Sequence, residues 1–117
     1  MTELAELTAA LRRFVEERDW GRFHDPKNLA MLVGSEAGEL LAEYRWITSE
    51  AADAFSREPE ARARIAAEIG DVGIGLILLC DRIGLDFVAA MREKLAANER
   101  KYPVATSRGR ADKPKKG

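Results

Sequence analysis

The chain has 117 residues, which fits one domain, and its formal net charge is −1. Charged residues make up 33% and the hydrophobic set 46%, the balance of a soluble globular protein. One cysteine, Cys80, excludes an intrachain disulfide and a cysteine-rich zinc site; its apolar neighbours predict a buried thiol and a reducing, cytoplasmic setting. The N-terminus lacks the basic stretch and apolar run of a signal peptide. The longest apolar stretch, Val72 to Cys80, is too short to span a bilayer, so no membrane contact is expected.

The first segment reads as a helix from residue 2 to residue 18, because Leu4, Leu7, Leu11, Phe14 and Val15 recur at helical spacing. Residues 19–25 form a connector with Trp20, Phe23 and His24. Asp25-Pro26 starts a second helix, with an acceptor at the N-cap and proline in the first helical position. Its apolar stripe of Leu29, Leu32, Val33, Leu40 and Tyr44 carries it to Trp46. Residues 47–58 are polar and lack a clear pattern, and they read as a loop, with room for a helical turn. Pro59 or Glu60 opens a third helix with a seam of Ile65, Ile69, Val72, Leu76, Leu79 and Ile83. Ile74, Ile77 and Leu78 lie off that seam, so a second face is expected to meet another subunit. Gly70, Gly73 and Gly75 each cost the helix roughly 1 kcal/mol relative to alanine; close approach of a neighbour and simple tolerance explain them equally well. Gly84 ends the helix, Asp86 caps a fourth carrying Phe87, Val88, Met91 and Leu95, and Tyr102-Pro103 closes the folded part. No segment alternates with period two, so the expectation is an all-α four-helix bundle. Residues 1–104 form its domain. Residues 105–117 are a basic tail with Arg108, Arg110, Lys113, Lys115 and Lys116, read as disordered and solubilising, or as a polyanion contact.

Two acidic pairs stand out. Glu36 and Glu39 lie in the middle of the second helix, and Glu68 and Asp71 in the third. Residues three apart share a helix face, so each helix presents two carboxylates beside its apolar stripe. Solvated surface charge is one reading. A divalent cation is the other, because clustered carboxylates repel and buried charge needs a partner. The donors are all hard oxygens, which suits Mg2+ or Mn2+, and such an ion typically also meets substrate phosphates. A di-iron bundle would want Glu-x-x-His pairs, whereas the single His24 sits in a connector. Trp20, Phe23 and Trp46 either stack on a flat base or plug the core, and Phe23 reads better as a plug. His24 either donates to a ligand or caps its connector. Lys94 and Asn98, one turn apart on the fourth helix, either share a ligand or face solvent.

With Arg18-Asp19-Trp20, Phe23-His24-x-Pro26-x-Asn28-Leu29, Glu36-Ala37-Gly38-Glu39-Leu40, Trp46, Glu68-x-x-Asp71, Lys94 to Asn98 and Tyr102-Pro103 in this order, the sequence resembles the MazG-like all-α nucleoside triphosphate pyrophosphohydrolases, within them the dCTP pyrophosphatase branch. The resemblance spans residues 4–104. It implies hydrolysis of a (deoxy)nucleoside triphosphate to the monophosphate and pyrophosphate, with Glu36, Glu39, Glu68 and Asp71 as Mg2+ ligands. Glu36 and Glu39 would be catalytic, and Trp20, His24, Trp46, Lys94 and Asn98 would line the nucleotide pocket. It further implies a homodimer or homotetramer and control of dCTP or modified deoxynucleotides in the pool. One position departs from the pattern: dCTP-selective members carry a tyrosine four residues past the aspartate, where this chain has Gly75, which enlarges the pocket or removes a contact and puts base selectivity in doubt. The competing expectation is a non-catalytic helical interaction module holding a polyanion with its tail; nucleic-acid binding by the tail is the weakest reading.

Overall fold

The computed structural model describes residues 1–112. Among them there are helices and no strand: α1 (Glu3–Glu17), a 3-10 turn (Gly21–Phe23), α2 (Pro26–Tyr44), α3 (Ser49–Arg57), α4 (Pro59–Ile83), α5 (Phe87–Lys101) and the short α6 (Val104–Ser107). The all-α class is as expected. Contacts divide the chain into two units, Met1–Gly84 and Leu85–Gly117.

Local chemistry sets the helix ends. The Asp25 side chain accepts from the Asn28 N–H at 3.0 Å with Pro26 in the first helical position, and Asp86 accepts from Ala89 at 2.9 Å. Thr2 and Thr48 cap α1 and α3 in the same way. Gly84 ends α4 at φ 69°, a left-handed conformation that glycine adopts without a Cβ penalty. The segment expected as a loop contains α3. Thr48 supplies its cap, and it holds on through one face: Phe55 meets Tyr44 edge-on at 5.7 Å, and Ser56 Oγ lies 2.6 Å from the Tyr44 hydroxyl. At the other end, α6 continues past Tyr102-Pro103 for one turn. Arg108 and Arg110 of the tail are exposed, while Lys113, Lys115 and Lys116 lie outside the described residues.

In the first unit α2 and α4 form the principal packed pair. Val33 lies against Gly75, and Arg64 Nε donates to Glu43 at 3.1 Å. Residue number rises along α2 as it falls along α4, so the helices run antiparallel. α1 is tied to α4 by a two-pronged Arg12–Asp81 pair, with Nε donating at 2.9 Å. The most buried apolar side chains are Leu29, Ala61, Ile65 and Ile77. The buried face of α4 therefore follows the expected seam only in part: Ile65 is buried and Val72, Leu76 and Leu79 are half-buried. Ile69 and Ile83 of that seam are 55% and 52% exposed, while Ile77, placed off it, is buried. Gly75 and Ile77 are about 200° apart around the helix and both are buried, so α4 is enclosed on two sides at this level. Phe23 is no core plug, being 54% exposed beneath the Arg22 guanidinium. Cys80 is half-buried.

Candidate metal centre

The Val33–Gly75 and Glu43–Arg64 contacts bracket a stretch where the facing residues are acidic. Glu36 and Glu39 project from α2 one turn apart, and Glu68 comes from α4 between Arg64 and Gly75. One carboxylate oxygen from each of Glu36, Glu39 and Glu68 lies within 4.8 Å of the others. Glu36 and Glu68 are half-buried and Glu39 is exposed. Asp71 is exposed and outside this triad, yet its charge acts on both Glu36 and Glu68.

Two oxygens at the centre, Glu36 Oε2 and Glu68 Oε2, are shut off from solvent and have no hydrogen-bond partner. Buried carboxylate oxygens are normally satisfied, because leaving one unpaired costs its desolvation. Burial is also the main reason that the Glu36 and Glu68 carboxyls are held above their ordinary pKa; for both, the charge of Glu39 adds to it. Among the described residues no lysine or arginine is paired with any of the three. Arg64, one turn before Glu68 on α4, is engaged with Glu43 instead. Hard oxygens, mutual repulsion and two unsatisfied oxygen atoms fit a small divalent cation of the Mg2+ or Mn2+ type.

The residues expected around a nucleotide are spread over the chain. His24 lines a cleft of about 210 Å³ with Arg12, Glu16, Leu29, Asp81 and Arg82. Its backbone N–H also closes the 3-10 turn on Gly21. Trp20 follows the end of α1, 43% exposed and edge-on to Phe14 at 5.6 Å. Trp46 follows α2 at 84% exposure, with Arg45 over its ring. His24 and Trp46 therefore flank opposite ends of α2, roughly 28 Å apart along its axis at 1.5 Å per residue, with the carboxylates between them. Lys94 and Asn98 are on α5 in the second unit; Lys94 is exposed and Asn98 half-buried. Gly75 does not border open space, because the Val33 side chain stands where a larger residue would go. Of the two consequences expected of a glycine there, a larger pocket or a lost contact, the first does not fit a position that Val33 fills. Sequence reasoning passed over Arg12 and Asp81 in the wall of the cleft. Their signal, an arginine and an aspartate on two different helices, emerges only once α1 is laid on α4.

A further feature is an apolar groove of about 440 Å³ between α2 and α4, lined by Ala37, Leu40, Leu41, Tyr44, Ile65 and Ile69. Leu41 is 68% exposed there. No helix among the described residues is long and apolar enough to cross a membrane.

The dCTP pyrophosphatase 1 proteins of Bos taurus and Homo sapiens are 38% and 35% identical to the chain over 100 residues, 86% of its length. The chain spans about three-fifths of the length of these curated relatives, 59% of each. The crystal structure of a pyrophosphatase from Archaeoglobus fulgidus superposes with a TM-score of 0.79 at 36% identity, covering 88% of this chain and 94% of that one. A profile of the MazG-like family matches residues 32–115, which include both acidic pairs, and the chain belongs to that family.

Proposed function

We propose that the chain is a Mg2+-dependent nucleoside triphosphate pyrophosphohydrolase, with Mn2+ as a substitute ion. The observation that carries this reading is the triad of Glu36, Glu39 and Glu68, with two buried oxygens that lack any partner. Glu36, Glu39 and Glu68 would hold the ion, with Asp71 completing the set from the next turn of α4. When bound, Mg2+ supplies charge neutralisation at the phosphoryl oxygens and lowers the pKa of the attacking water. Glu39 is the triad's exposed member, open to solvent water. Its carboxylate orients the water and accepts its proton. The water oxygen bonds to the α-phosphorus, the bond from that phosphorus to the α,β-bridging oxygen breaks, and pyrophosphate leaves with the bridging oxygen. The products are a nucleoside monophosphate, pyrophosphate and a proton.

The relatives' name, dCTP pyrophosphatase 1, supports dCTP as substrate; the same reading extends to modified deoxynucleotides and to control of that pool in the cytoplasm. Trp20 and Trp46 would stack on the base, and His24, Lys94 and Asn98 would contact the polar parts of the nucleotide. His24 and Trp46 are too far apart along α2 to touch one nucleotide from the same copy. The pocket then needs at least two copies, and the apolar groove beside the triad is a surface that a homodimer or homotetramer would cover. Residues 1–104 would act as the catalytic domain, with the basic tail outside it.

The test is a panel of ordinary, deoxy and modified triphosphates with Mg2+, with the products identified. Pyrophosphate release from at least one of them, abolished in folded Glu36→Gln, is the expected result. No pyrophosphate from any triphosphate with Mg2+ or Mn2+ refutes the reading and leaves a helical interaction module.

A further inference from the structure

Gly75 is the one glycine inside α4 that another helix presses against. A Cβ built there would lie 3.0 Å from Val33 Cγ2, whereas at Gly70 and Gly73 it would meet nothing within 4 Å. Behind that methyl stand the Val33 backbone atoms, Cα and N, at 3.9 Å. The clash could not be relieved by a swinging side chain, because a β-branched residue in a helix is stiff at χ1. Carbon atoms in ordinary contact sit about 3.5–4.0 Å apart, so a side chain at residue 75 would require Val33, and the stretch of α2 that carries it, to give by a few tenths of an ångström. Val33 is three residues before Glu36 and Gly75 is seven after Glu68, positions that share the carboxylates' faces. The separation imposed at this contact is therefore passed, within about one turn of α2 and two of α4, to the oxygens gathered within 4.8 Å.

We propose that Gly75 is a positioning residue for the divalent cation: by admitting Val33 it sets the α2–α4 spacing that brings the oxygens of Glu36 and Glu39 onto that of Glu68. The inference rests on the metal site proposed above. Mg2+ is the demanding case, because it requires near-octahedral geometry at 2.0–2.1 Å. Loss of support behind a ligand shell typically weakens metal binding by about 10–100-fold.

The experiment measures Mg2+ binding by calorimetry without substrate, for the full-length wild type, Gly75→Ala, Val33→Ala and the double variant, with Gly73→Ala as control. Gly75→Ala should weaken Mg2+ by about tenfold or more. Adding Val33→Ala removes the opposing methyl and should restore most of the affinity. Gly73→Ala should bind as the wild type does, with a raised Tm from its better helix propensity. If Gly75→Ala fails to fold but the double variant folds and binds Mg2+, the contact is confirmed. Wild-type affinity in folded Gly75→Ala overturns the proposal, as does a loss that Val33→Ala leaves unrescued in a folded double variant. A wild type that binds no Mg2+ overturns the metal site itself, a different failure.

Discussion

Replacing Leu29 by alanine separates what holds the first unit together from what the carboxylates do. Leu29 is 1% exposed, the most buried apolar side chain among the described residues. It sits in the first turn of α2, forming the floor of the cleft beside His24. Alanine lacks three of its carbons, worth about 2.4 kcal/mol at roughly 0.8 kcal/mol each. A cavity that does not collapse adds up to about 1.5 kcal/mol. The expected loss is about 2.5–4 kcal/mol, a large part of the roughly 5–15 kcal/mol available to a typical domain. With a urea m-value of about 1.5 kcal/mol/M, the unfolding midpoint should fall by about 2 M at fixed protein concentration. Glu36 lies seven residues further on, roughly 10 Å along the helix, so the stabilisation that Mg2+ gives the folded variant should survive. A midpoint shift of less than about 0.5 M with an unchanged m-value would mean that Leu29 is not an anchor and that the α1–α2–α4 core is wrongly placed.

The pH dependence of stability should reverse sign with metal. Without it, Glu36 and Glu68 hold protons more tightly folded than at their ordinary 4.5, so the folded state binds more protons and is stabilised as pH falls through the raised values towards 4.5. Asp81 is lowered from 3.8, chiefly by its hydrogen bond from Arg12. Its contribution is present above 3.8 and is lost as pH falls through the lowered value. With saturating Mg2+, acidification instead protonates the ligands and releases the ion, so stability should fall over the same range. Tm series in chelator and in Mg2+ check this, and slopes of the same sign would contradict it. Trp46→Ala should change stability by no more than about 0.5 kcal/mol, since the side chain is 84% exposed. It should lower kcat/KM by about tenfold or more if the ring stacks on the base; unchanged steady-state kinetics would remove Trp46 from the pocket.

What the sequence disclosed was what short-range geometry determines. Asp25-Pro26, Gly84 and Asp86 are local signals, and each ends or begins a helix where it was expected to. The spacing of Glu36 and Glu39 requires only a helix to put both on one face. What stayed hidden depends on neighbours. α3 carries a single aromatic, Phe55, and its stability lies in Tyr44 and in α4, which no window of residues 47–58 contains. The seam misled because a heptad assumes one partner along the whole helix. Here α2 takes the face of Ile65, Glu68 and Gly75, which leaves Ile69 and Ile83 outside. His24 and Trp46 look adjacent in a list of motifs, yet a nineteen-residue helix separates them.

The place of the carboxylates explains the rest of the α2–α4 contact. A helix pair with an acidic patch at its centre loses apolar contact where packing contributes most, and adds repulsion. Adhesion must then come from the two sides. On one side Gly75 lets Val33 sit close, and Leu29 is buried nearer the start of α2. On the other side Ile65 is buried, and Arg64 binds Glu43, drawing an acidic residue of the same α2 face away from the triad. The cations that would quench the patch are thus held at its margins. Had Arg64 reached inward to Glu39 or Glu68, the pair would have been a stable salt bridge and a poor cation site. The arrangement leaves the three carboxylates without a cationic partner among the described residues, between two zones of good packing, so a small divalent ion gains from binding what the apo helix pair loses by repulsion.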